Sequence, residues 1–135
     1  MDLVIDANVL FSALIKNSTT SEILFNDRCM LFSPEFIIEE FMKYEKLILK
    51  KTKRSREEFI MFIHQLKERI IIVPEEEYSK HMGTAEKTSP DENDAIYFAL
   101  ALKFKCPIWS NDKRLKEQNK VKIISTKEII EILNL

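Results

Sequence analysis

Leu3-Val4-Ile5-Asp6-Ala7-Asn8-Val9-Leu10 opens the chain with two short apolar runs that meet at a carboxylate. Leu3 to Ile5 is too short for a helix and has no polar alternation, so it reads as a strand covered on both faces. Val9, Leu10 and Leu14 then fall at helical spacing, and Asp6 stands at the junction. In open α/β sheets, ligands gather beyond the carboxyl ends of the strands. Asp6 is therefore the residue toward which other functional groups are expected to converge.

The 135 residues form one expected domain, 1–135, large enough for a single core. A composition 45% apolar and 32% charged is that of an ordinary globular chain and excludes a low-complexity one. Cys29 and Cys106 have no metal-ligand spacing and read as reduced thiols. With no signal-like segment and no apolar run of membrane length, the expected location is cytoplasmic.

Beyond Asp6, Asn17 to Thr20 reads as a polar break and Ser21 to Asp27 as a short helix. Cys29 to Phe32 is expected to be the second strand. Ser33-Pro34 resembles an N-cap followed by proline at the first helical position, opening one long helix to about Lys51. Its apolar stripe is Ile37, Phe41, Tyr44 and Ile48. Ser55 and Glu58 form a capping-box pair ahead of another helix, and Ile70 to Val73 is a third strand. Pro74 and three glutamates begin a helix, Gly83 to Ser89 is expected to be a loop, and Ser89 with Glu92 a capping box. Ala95 to Phe104 is apolar nearly all round, as a central buried helix requires. Strands at Pro107 to Trp109 and Val121 to Ile124 precede a last helix capped by Ser125 and Glu128. This alternation predicts an α/β fold, a three-layer α/β/α sandwich around a parallel sheet of about five strands.

Asp112 follows a strand as Asp6 does, so both should leave the same edge of the sheet. Asp91 and Asp94 occupy the first turn of the buried helix, where free N–H groups and the helix dipole also suit a purely structural acid. At roughly 100° per residue, Glu40 lies about 60° from the centre of its helix's apolar stripe, whereas Glu39 lies nearly opposite it. Glu40 is thus the acid at the core's edge. Carboxylates gathered without basic partners suit a hard divalent cation such as Mg²⁺ or Mn²⁺.

Four segments in order carry a family resemblance: LVIDANVL, FSPEFIIEEF, SPDENDAIYFALAL and IWSNDKRL. Together they resemble a PIN-domain nuclease, and more narrowly the toxin ribonucleases of prokaryotic toxin–antitoxin pairs. The resemblance implies Asp6, Glu40, Asp94 and Asp112 as catalytic, metal-holding acids, with Asn8, Asp91 and Ser110 as accessories. Serine stands at Ser110 where the family more often has threonine. The resemblance also implies Mg²⁺ or Mn²⁺, an RNA substrate, a small antitoxin protein as partner and a homodimer. Lys113, Arg114 and Lys116, beside Asp112, are expected to contact RNA phosphates. A non-catalytic PIN-like module that binds RNA or protein is the alternative. A phosphatase or phosphotransferase is disfavoured, because Gly83 is the one glycine and no phosphate loop is possible.

Overall fold

The computed structural model describes residues 1–15 and 18–135. Of the expected polar break, Asn17 lies outside the described residues. The chain runs β1 (Asp2–Ile5), α1 (Ala7–Ser12), α2 (Thr19–Leu24), β2 (Met30–Pro34), α3 (Phe36–Lys43), α4 (Glu45–Thr52) and α5 (Arg56–Arg69). It continues through β3 (Ile70–Val73), α6 (Glu75–Tyr78), α7 (Met82–Thr88), α8 (Ala95–Phe104), β4 (Ile108–Trp109), β5 (Ile123–Ile124) and α9 (Thr126–Leu133). The five strands form one parallel sheet in the order β3-β2-β1-β4-β5. The chain therefore winds outward from β1 to β3, then returns to build the other half beginning at β4. The reversal falls between β1 and β4, where this architecture opens a crevice.

Strand alternation explains the layers. Leu3, Ile5, Leu31, Trp109 and Ile124 face one core, packed by α1 to α5 and α9. Val4, Phe32, Ile108 and Ile123 face the other, packed mainly by α6, α7 and α8. The period of two along each strand sends neighbours to opposite faces, and helices cover both. The expected three-layer sandwich is the observed fold. Tyr97, Phe98, Ala99 and Leu100 are all buried, so α8 is the central helix its composition predicts.

Several local expectations are corrected. Ser33 and Pro34 do not open a helix; they are the last residues of β2, paired with Ile72 and Val73. A Ser-Pro pair fits a strand end as well as a cap, and a neighbouring β3 decides between them. The long helix is divided at Tyr44, whose backbone lies at φ −100°, ψ 21°. Tyr44 consequently leaves the apolar stripe and is 47% exposed, while Ile37, Phe41 and Ile48 remain buried. Residues 83–88 belong to α7 rather than a loop. A Cβ at Gly83 would meet nothing within 4 Å, so this glycine serves no turn. Asp91, not Ser89, accepts the capping bond, from the Asn93 N–H at 2.9 Å.

Both other capping boxes form as expected, Ser55 with Glu58 and Ser125 with Glu128. The second opens α9 directly after β5. Ser125→Ala is expected to lower unfolding free energy by about 1 kcal/mol in urea titration, with an unchanged m-value.

Candidate active site

Asp6 leaves β1 at the switch point. Its backbone N–H donates to the Trp109 carbonyl at 3.4 Å, which aligns the ends of β1 and β4. As N-cap of α1, its carboxylate accepts the Val9 N–H at 2.9 Å. Apolar strands surround this short connection, and Asp6 is only 7% exposed. Burial pushes its carboxyl above the ordinary carboxylate range, and the charge of Asp112 pushes the same way. Hydrogen bonds from Ser110 and Val9 oppose that shift without cancelling it.

Ser110 extends from β4 and is 1% exposed. Its hydroxyl stands near enough to Asp6 to pull that carboxyl down against the effect of burial, and it accepts the Asp112 N–H at 3.1 Å. One buried side chain thus bears on two of the expected acids. Asn111, between them, ties the loop to the start of α9, donating to Thr126 Oγ1 and accepting the Thr126 N–H. No motif singled out Asn111, since its role depends on α9 lying alongside.

Asp94 ends the turn ahead of α8 and is half-buried. Desolvation raises its carboxyl, reinforced by Asp91, Asp6 and Asp112 in that order. The charges of Asp91, Asp6 and Asp112 thus all act on the region of Asp94. Glu40, on α3, is half-buried and Glu39 exposed, as helical geometry predicts. Glu40 reaches the same region, because its charge acts on the Tyr97 phenol together with Asp6 and Asp94.

Tyr97 is a site neighbour that the sequence reading passed over as helix core. It is 5% exposed, lies three residues beyond Asp94 on α8, and packs its ring against Phe36 of α3 at 6.3 Å. Burial, then Asp6, raises its hydroxyl far above the usual phenol range. The i, i+3 relation to Asp94 was the available signal.

Asp112 departs from the picture of unpartnered acids. Arg114 binds it through two nitrogens, Nε to Oδ1 at 3.2 Å and Nη2 to Oδ2 at 2.9 Å, and holds its carboxyl below the usual range. Arg114 is itself solvent-exposed, so this pair is weak and exchangeable. Lys116 is paired with Glu128 at 2.7 Å, whereas Lys113 is exposed. Asn8 is exposed on the rim of a groove of about 270 Å³ that runs past Glu40, Phe11, Phe41 and Tyr44.

Among the described residues, no three carboxylate, imidazole or thiol groups stand close enough to hold an ion outright. The donor chemistry still fits a divalent cation. Asp6 and Asp94 are desolvated oxygen donors that repel one another, and Mg²⁺ uses few carboxylates while retaining waters.

An α/β domain with a parallel five-stranded sheet and a buried carboxylate, Asp6, at its switch point is the class that fold and site define. The PIN domain family model matches residues 4–132, and the chain belongs to that family, whose members are generally nucleases. Among solved structures, the chain is similar to the crystal structure of VapBC2 from Rickettsia felis bound to a DNA fragment from their promoter. The TM-score is 0.64 at 13% identity, covering 93% of this chain and 98% of that one. That likeness is one of fold. No curated protein matches the sequence. No helix among the described residues is long and apolar enough to cross a membrane.

The raised carboxyl of Asp6 has a consequence for stability. The folded state binds this proton more tightly than the unfolded chain does, so stability falls as pH rises from the ordinary carboxylate range through the raised value. Asparagine retains the capping oxygen without the charge. Asp6→Asn should therefore melt at a higher temperature than wild type at neutral pH, and the advantage should shrink as the pH is lowered through that window.

Proposed function

We propose that this chain is a metal-dependent endoribonuclease, the toxin of a toxin–antitoxin pair. The observation that carries the reading is a buried carboxylate, Asp6, at the switch point of a PIN domain, with the charges of Asp6 and Asp112 acting on Asp94 and that of Glu40 on the Tyr97 phenol. These four acids would hold Mg²⁺ or Mn²⁺. When bound, such an ion neutralises phosphodiester charge and makes water acidic enough to be a nucleophile at neutral pH.

The chain's own residues supply the placement. The Val9 N–H restrains the Asp6 carboxylate, so less reorganisation is needed on substrate binding. Tyr97 and Phe36 join α8 to α3 and thereby fix Asp94 relative to Glu40. Hydrolysis by in-line attack of water on phosphorus would break the bond to the 3′ oxygen, leaving a 5′-phosphate and a 3′-hydroxyl. Asn8, exposed at the rim, is suited to orient water or RNA, and Asp91 keeps the turn before Asp94 in place.

The toxin reading draws on the similarity in fold to the VapBC2 complex. The apolar groove beside Glu40 offers a surface for a small antitoxin, and the exposed Met42 and Met61, outside it, offer one for a homodimer. The Asp112–Arg114 pair, with no closed ligand cage among the described residues, favours one other reading, a PIN-like module that binds RNA or protein without cleaving it.

The deciding experiment is incubation with single-stranded RNA and Mn²⁺. Wild type should cleave, while Asp6→Asn, Glu40→Gln and Asp94→Asn should each lose at least about 100-fold, beyond the loss typical of changing a ligand's supporting residue. Mn²⁺ should also raise the melting temperature of wild type but not of Asp6→Asn. Equal cleavage by wild type and Asp6→Asn would end the proposal, and no cleavage with any divalent ion would favour the binding module.

A further inference from the structure

We propose that the cleft between the end of α7 and residues 116–120 is a second subsite, which binds backbone phosphates of the same single-stranded RNA. This rests on the ribonuclease reading above. The acid crevice alone repels a polyanion, and any strand crossing it needs cations for the phosphates that flank the scissile one. The cleft supplies them, lined by Lys87, Lys116 and Lys120 against the single Glu117, with the Gln118 and Asn119 amides between.

Its position follows from chain continuity. One wall, Lys87 and Thr88, leads through Ser89 to Asp91, and the Ser89 hydroxyl donates to the Asp91 carbonyl at 2.6 Å. The other wall is the end of the 3₁₀ turn Lys113–Glu117, which Asp112 caps, and the residues that follow it. At roughly 2 Å per residue, that turn carries the chain about 8 Å from Asp112 to Lys116. Both walls thus grow out of the segments that bear the site acids.

The loop is also built rather than merely tolerated. The Gln118 side chain donates to the carbonyls of Leu115 and Val121, and accepts the N–H groups of Lys120 and Val121. All four hydrogen-bonding positions of one amide are used to hold a surface turn, which presents Lys120 on a rigid frame. Lys116 is already paired with Glu128. Lys87 and Lys120 have no carboxylate partner among the described residues, so these two are the cations available to phosphate.

Fluorescence anisotropy of the full chain with a short labelled single-stranded RNA, in EDTA so that nothing is cleaved, tests the assignment. Lys87→Glu/Lys120→Glu should bind at least about tenfold more weakly at low salt. Its plot of log affinity against log salt should be shallower by roughly 1.4, two contacts at about 0.7 each. Lys87→Ala/Lys120→Ala, which avoids introducing negative charge, should move both quantities the same way. Lys50→Glu/Lys53→Glu, an equal charge change on α4 and the turn after it, should leave them near wild type. Unchanged affinity and slope in the first two variants would overturn the subsite, as would an equal loss in the α4 control. Because the assay requires no cleavage, the subsite and the four-acid site can fail independently.

Discussion

Everything at the working edge of this domain depends on a carboxylate held out of water where β1 gives way to α1. Asp6 is confined by the Val9 N–H on its own helix and by Ser110 from the adjacent strand. The parallel pairing of Ile5 with Trp109 makes that second contact possible, since it brings two chain segments more than 100 residues apart into register. Without the pairing, Asp6 would be an ordinary helix cap. With it, the cap becomes a desolvated anion beside other acids, a costly arrangement unless a counter-charge is part of the working state.

Asp6 and Asp94 are shifted upward by burial and by their neighbours, whereas Asp112 is shifted downward by Arg114. The site therefore has a fixed, desolvated half and a solvated half whose ion pair exchanges readily. Oxygen donors of the first kind bind cations; an exposed arginine on the second can release its carboxylate at little cost. Ser110 couples the halves, since the same hydroxyl meets the Asp6 carboxylate and the Asp112 backbone. Tyr97 performs a related task across the helices, keeping α3 and α8 in contact beside the acids.

Functional sites often carry arrangements that oppose stability, and here the opposition has a visible cause. Buried like charges raise the free energy of the empty domain. Two separate hydrophobic cores, one on each side of the sheet, stabilise the frame that holds them. Asp6 and Asp112 follow β1 and β4 at the same edge of that frame.

Much of this was legible in the order of residues. Short aliphatic runs, the all-apolar helix from Ala95 and the Ser55 and Ser125 capping boxes are local signals, and local chemistry decides them. So is the choice of Glu40 over Glu39, because helical geometry needs only a stripe and an angle. Ser33-Pro34, the division at Tyr44 and the helix through Gly83 were not legible. For Ser33-Pro34 an ambiguous local sequence was settled by pairing with β3, while the break at Tyr44 and the helix through Gly83 rest on backbone conformations that no local motif announced. The sequence by itself determined which residues are acids, which runs are strands and which helix is buried. Tertiary structure alone decided that Ser110 reaches Asp6, that Arg114 engages Asp112 and that Tyr97 lies among three carboxylates, because proximity across a sheet is set by strand order and register.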